Sequence, residues 1–229
     1  MTFSVVARCA ETGQLGIAIS SSSIAVGARC PWLRPGVGAV ASQNITLPSL
    51  GPQMLDRLEQ GVAPSEALEA VLAGQDHSQY RQVTVIDSQG RTAHFSGAQT
   101  LGIHAAVSGE QCVAAGNMLA NPEVIEAMVR AFENASGHLA DRLLAAMHSG
   151  QAKGGEAGPV HSAALIVVDD LFGPSSTCGW TGPMNTRSAP STSSGRLIAA
   201  NCRTTSTAPS TRNTRRVTPC REMIDEQQP

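Results

Sequence analysis

"TFSVVARCAETGQLGIAISSS", residues 2–22, holds two runs of β-branched and apolar residues, Phe3 to Cys9 and Gln14 to Ser22, separated by the turn signal "AETG". Runs of this kind on either side of a short Gly-containing turn read as a β-hairpin. Thr2 stands at the head of the first strand, one place behind Met1. Removal of Met1 would leave a threonine with a free α-amine. Such a residue carries a hydroxyl nucleophile and, in the amine, the base that activates it. The amine's ordinary pKa of about 7.7–8.0 leaves part of it neutral at physiological pH. The plainer reading is that threonine suits the start of a strand.

Outward from the hairpin, "GVGAVASQ" (36–43) reads as a third strand. "PQMLDRLEQG" and "PSEALEAVLAG" then read as two short helices, each opening at a proline (Pro52, Pro64) and closing at a glycine (Gly61, Gly74). "QVTVIDSQGRTAHFSG" is a second hairpin turning at Ser88, Gln89 and Gly90, and "QCVAAGNML" is a further strand. "NPEVIEAMVRAFENASG" is a helix with Asn121 as its cap, and "LADRLLAAMHSG" is another, with Leu139, Leu143, Leu144 and Met147 on one stripe. "HSAALIVVDD" closes the series as a buried strand. The order is strands, two helices, strands, two helices, strand. It predicts an α+β domain of two stacked antiparallel sheets with helices on both outer faces.

The 229 residues carry a net charge of −2, which argues against nucleic-acid or membrane-surface binding. No apolar run is long enough to span a bilayer, and no signal-peptide pattern opens the chain, so a cytoplasmic protein is expected. The six cysteines (Cys9, Cys30, Cys112, Cys178, Cys202, Cys220) form no CxxC pair and read as free thiols in a reducing compartment. The average conceals a break. Residues 1–171 hold nine basic residues against fifteen acids, whereas residues 172–229 hold seven arginines against three acids and are dominated by Ser, Thr, Pro and Arg. The expected domain is therefore 1–171, followed by a disordered segment over 172–229. Regrouping the codons by one base turns Phe172 to Gly195 into a string that permits "WPIVDLRVDWTDEHPIGALDQLW", a strand followed by an amphipathic helix. Trp180 with Thr181 must then give Asp, and Met184 with Asn185 must give Glu. A frameshift is the favoured explanation, leaving the architecture without its last strand and helix.

The stretches "MTFSVVAR", "ETGQLGIA", "AVGARCPWLRPGVGAVASQ", "LPSLGPQMLDRL", "RQVTVID", "GRTAHFSG", "AAGNMLANPEV" and "HSAALIVVDD" occur in this order from residue 1 to about 170. In them the chain resembles domain-of-unknown-function family 1028, placed among the N-terminal-nucleophile (Ntn) hydrolases of proteasome-like fold. The resemblance implies a four-layer αββα sandwich and brings no substrate with it. The proteasome-like pattern also uses an acid just past the second strand and a nearby lysine. Here that place holds Ser20 to Ser23, and the single lysine, Lys153, lies far downstream. Arg8, Arg29 and Arg34 supply charge but stay protonated. Proteasome-type proteolysis is therefore not expected.

Thr2 is the candidate nucleophile. Gln43 and Asn44 follow the third strand and could present amides to an oxyanion, though ordinary loop hydrogen bonding explains them at least as well. Asn117 after Gly116 closes its strand the same way, and for it the structural reading, a left-handed turn that Asn tolerates, comes first. On "RTAHFSG", Thr92, His94 and Ser96 share the face opposite Ala93 and Phe95, which makes His94 with Ser96 a candidate polar pair, although a single histidine on a strand is more often a hydrogen-bonded structural residue. His161 and Ser162 could be structural in the same way. No GxSxG, HExxH or phosphate-loop spacing occurs, and no cofactor or metal is expected. Two readings stay open: an Ntn-type amidohydrolase for a small amide or acyl substrate, and a catalytically silent domain that binds a small molecule or forms a homo-oligomer.

Overall fold

The structure is a computed structural model that describes residues 1–169, 173–181 and 202–203. It is an α+β arrangement of two antiparallel sheets and four helices. The opening hairpin is present as β1 (Thr2–Arg8) and β2 (Leu15–Ser21), paired from Thr2↔Ser21 to Arg8↔Leu15. Gly13, with φ of +76°, turns the chain where an L side chain would be strained.

β3 (Pro31–Arg34) and β4 (Gly38–Asn44) come next, then the helices α1 (Leu50–Glu59) and α2 (Pro64–Ala73). The second hairpin is β5 (Arg81–Asp87) with β6 (Thr92–Ser96). β7 (Ala105–Gly109) pairs with β8 (Cys112–Asn117), followed by α3 (Glu123–Asn134), α4 (Leu139–Ala152) and β9 (Ser162–Asp169). One sheet runs β3-β4-β5-β6. The other runs β7-β8-β1-β2-β9 and continues through β10 (Gly173–Thr181) and β11 (Cys202–Arg203).

β1 divides its side chains between two cores by simple alternation. Phe3, Val5 and Ala7 pack with Ile125, Met128 and Phe132 of α3 and Leu139, Leu143 and Ala146 of α4. Val6 faces the opposite way, into a core it shares with Ile17 and Ile19 of β2, Ala39 and Ala41 of β4, Ile86 of β5 and Val113 of β8. A third core joins Val40, Val83 and Val85 to Met54, Leu58, Leu68 and Val71 of α1 and α2. The helices α3 and α4 thus share a core with the larger sheet, and α1 and α2 share one with the smaller. Among the described residues no helix is long and apolar enough to cross a membrane.

Four expectations need correction. β3 and β7 were not foreseen; both are sheet-edge strands. α1 begins at Leu50, so Pro52 is its third residue and does not open it. Asn121 does not cap α3: its Nδ2 donates to the Lys153 carbonyl at 2.7 Å, and among the described residues no side chain caps that helix. The folded part was expected to stop at Leu171, yet residues 173–181 form β10, antiparallel to β9 from Gly173↔Asp169 to Thr181↔Ser162. Strand pairing is carried by the backbone, so an open edge such as that of β9 accepts a Ser/Thr-rich partner that has no apolar alternation of its own. The expected final helix lies outside the described residues.

Candidate active site

Register collects the site. Thr2 pairs with Ser21 on one side and Asn117 on the other, and Ser21 pairs in turn with Ser162. Directly opposed residues in a sheet share a face. This row therefore lies at one end of the larger sheet and points, with Ser4 and Val6, toward the smaller one. The strand alternation that puts Phe3 in the helix-facing core is what puts Thr2 here.

Thr2 is 5 % exposed. Its Oγ1 donates to the Met1 carbonyl at 2.6 Å and lies 3.1 Å from Ser21 Oγ, which donates to the same carbonyl at 2.7 Å. Ser21 Oγ lies 2.8 Å from Ser23 Oγ and accepts from Ser23 N at 3.1 Å. Arg29 in turn donates to Ser23 Oγ. A chain of hydroxyls thus connects a guanidinium to Thr2, in the segment where an acid was looked for and only serines were found.

The neighbouring layer is a closed amide network. Ser4 Oγ donates to Gln43 Oε1 at 2.8 Å, and Gln43 Nε2 donates to Gln82 Oε1 at 2.9 Å and to the Ala115 carbonyl at 3.2 Å. Gln82 Oε1 also accepts from Asn117 Nδ2 at 3.1 Å, and Gln82 Nε2 donates to Ser96 Oγ and to the Gly116 carbonyl, each at 3.0 Å. Gln43, Gln82 and Asn117 are buried, and the network ties β1, β4, β5, β6 and β8 together.

The candidates therefore separate. Thr2 and Asn117 stand side by side. Gln43 lies in the same layer, but both its amide hydrogens are engaged inside the protein, which leaves none for an oxyanion. Asn44 turns away with φ of +73°; its Nδ2 donates to the Tyr80 carbonyl and its Oδ1 accepts from Leu101 N. His94 is exposed on the edge strand β6, beside a cavity of about 450 Å³ between α2 and β6 that none of the Thr2 row lines. Its neighbour Ser96 joins the network instead. His161 Nδ1 lies 2.7 Å from the Ser22 carbonyl, while Ser162 Oγ donates to the Ser23 carbonyl and accepts from Val26 N, so the pair pins the loop after β2. Lys153 faces Glu123 at 3.6 Å, Arg8 donates to Gln111, and Arg34 is held by Asp56 and Glu59.

Two residues escaped the sequence reading. Gln82 is the hub of the network. Glu156, in a Gly-rich stretch read as a connector, is 6 % exposed and accepts from Ser22 N through Oε2 at 2.8 Å. Burial pushes its carboxyl above the usual range, against the Ser22 hydrogen bond, the chain's α-amine and His161. The only available signal was negative: a lone acid among glycines between a helix and a strand. Among the described residues no group of three or more His, Cys, Asp or Glu could hold a metal ion.

The model of the family of unknown function DUF1028 matches residues 2–190, so the chain belongs to that family. Among solved structures, protein SPO2555 from Silicibacter pomeroyi, also of DUF1028, is 31% identical, with 79% of this chain and 78% of that one covered and a TM-score of 0.74. Anbu (ancestral beta-subunit) from Yersinia bercovieri also matches, at 12% identity over 75% of this chain and 80% of that one, with a TM-score of 0.34. No curated protein matches.

Proposed function

We propose that this protein is an N-terminal-nucleophile amidohydrolase for a small amide or acyl substrate, with Thr2 as nucleophile and, once Met1 is removed, as its own base. In this reading the three cores form a four-layer αββα sandwich, and the active site sits at one open end of the space between the sheets. One observation carries the reading: the Thr2 hydroxyl heads β1 inside a cluster of hydroxyls, in contact with a carbonyl oxygen at 2.6 Å. The neutral α-amine takes the hydroxyl proton as Oγ1 attacks the acyl carbon and then returns it to the leaving group. Ser21 holds Oγ1 in place, and Arg29 polarises that contact through Ser23. Asn117 Nδ2 spends one hydrogen on Gln82 and offers the second to the developing oxyanion.

The test is intact mass before and after exposure to a β-lactone, which acylates activated hydroxyls. Expected is a protein lacking Met1 that gains one acyl group, keeps this reactivity in Thr2→Ser and loses it in Thr2→Ala. Retained Met1, or an adduct unaffected by Thr2→Ala, would make the domain a catalytically silent one.

A further inference from the structure

Glu156 lies in the segment between α4 and β9, which runs back beside the residues that follow β8. Ala120 N donates to the Gly155 carbonyl, Ala157 N donates to the Met118 carbonyl, and Leu119 and Glu156 form a β-bridge. The side chain then crosses to the end of β2, where Ser22 N holds Oε2. With the residue 6 % exposed, Oε1 has no hydrogen-bond partner among the described residues. A buried carboxylate oxygen without a donor is costly, and it marks a place where a ligand's donor belongs.

Met1 displays what this corner accepts. Its carbonyl oxygen receives Thr2 Oγ1 and Ser21 Oγ. Its thioether lies against Gly158, where a β-carbon would stand 2.4 Å from Met1 Cε and 3.0 Å from Sδ. Met1 is chemically an α-aminoacyl group joined by an amide bond to Thr2. Its carbonyl lies at the nucleophile, and its side chain runs along a glycine two residues from Glu156 in the same segment.

We infer that, once Met1 has gone, this corner binds the α-aminoacyl part of the substrate, with Glu156 Oε1 accepting from the substrate's free α-ammonium group. The inference rests on Thr2 being the nucleophile, and it makes α-amino amides the substrate class. Thr2 Oγ1 attacks the acyl carbon while its proton passes to the Thr2 α-amine. The C–N bond breaks, and the departing amine takes that proton, leaving an α-aminoacyl ester on Thr2. Water then adds to the ester and the C–O bond breaks. One proton returns to Oγ1 by way of the α-amine, and the free amino acid departs. Glycine at 158 leaves room for a side chain the size of methionine's.

The experiment uses the full chain with loss of Met1 verified by mass. Three 4-nitroanilides are compared: L-methionine's, its N-acetyl derivative, and that of 4-(methylthio)butanoic acid, which has the same chain without the amine. A charge-assisted hydrogen bond in a buried site predicts kcat/KM at least about tenfold higher for the free amine. In Glu156→Gln that preference collapses to within about twofold, chiefly through KM. Equal cleavage of all three by the native protein, or a preference that survives Glu156→Gln, overturns the aminoacyl assignment and leaves Thr2 as the nucleophile. Cleavage of none counts against Thr2. The Glu156 site is then decided by calorimetry on Thr2→Ala with L-methioninamide and 4-(methylthio)butanamide. Binding about tenfold tighter for the amine upholds the site, and equal binding overturns it.

Discussion

Replacing Gln82 by leucine tests the hub of the amide network. The two side chains are close in size, so the change removes hydrogen bonds with little loss of volume. Oε1 loses Gln43 and Asn117 as donors, and Nε2 loses Ser96 Oγ and the Gly116 carbonyl as acceptors. The consequences are unequal. Gln43 Nε2 keeps the Ala115 carbonyl at 3.2 Å, and Ser96 is half-buried and can turn to water. Asn117 Nδ2 and the Gly116 carbonyl lose these partners in the interior. A buried group stripped of its partner costs about 1–3 kcal/mol, and the leucine recovers part of that by burial, which gives a net loss of about 2–4 kcal/mol. For a chain of this length that corresponds to a fall in Tm of roughly 5–15 °C. Equilibrium unfolding in guanidinium, followed by far-UV circular dichroism, should show a lower midpoint at an unchanged slope. Ser96→Ala, which touches only the solvent-accessible end, should cost under about 1 kcal/mol. Equal losses in the two variants, or less than about 1 kcal/mol for Gln82→Leu, would refute the view that this network is sealed from water.

Gly51→Ala would place a β-carbon 2.2 Å from Trp32 Cγ and Cδ1, forcing apart α1 and β3, and should cost about 1–3 kcal/mol by thermal unfolding. Asp87→Ala removes acceptors for Gln89 N, Arg91 N and Arg91 Nε at the β5–β6 turn; a loss of about 1–3 kcal/mol is expected, with Asp87→Asn intermediate. Glu156 gives stability a pH dependence of definite sign. Because burial raises its folded pKa, its favourable contribution is complete below the unfolded value of about 4.3 and fades as pH rises through the folded one. Glu156→Gln should therefore match the native Tm near pH 4 and exceed it near pH 8; an advantage confined to acid pH would reverse the assignment.

The sequence disclosed those elements whose side chains report their own surroundings. β1 and β2 alternate or run apolar on both sides of a glycine turn, and α2 opens at Pro64 as its composition requires. The edge strands did not disclose themselves. "PWLR" and "AAVSG" are half-buried, and their place is fixed by the backbones of β4 and β8. The site was half legible for the same reason. Thr2 and Asn117 each occupy a strand end that can be read locally, but only register makes them neighbours. Gln82 gave one usable sign, a polar residue on the inward phase of a strand whose later inward residue Ile86 is apolar. Ser4 and Gln43 repeat that sign on two other strands. Glu156 gave none, since its burial is created by contact with Ser22, 134 residues away in the chain.

The space between the sheets is apolar along most of its length and polar at one end. Val6, Ile17, Ile19, Ala39, Ala41, Ile86 and Val113 fill the first part; Thr2, Ser4, Ser21, Gln43, Gln82 and Asn117 fill the second. Stability alone does not call for that gradient, because apolar side chains of matching volume would hold the sheets together at least as well. What the polar end adds is direction. Gln43 and Gln82 are each fixed by partners on several strands; Asn117 beside Thr2 is held by Gln82, which is held in turn by the main chain at Gly116. Groups that must meet a reacting carbonyl within a few tenths of an ångström need such support, and rigid strands supply it better than loops. A silent binding domain could do with a looser end. In the proposed reading, the network behind Thr2 fixes the nucleophile, and the carboxylate oxygen of Glu156 that has no partner among the described residues awaits the cation of what it attacks.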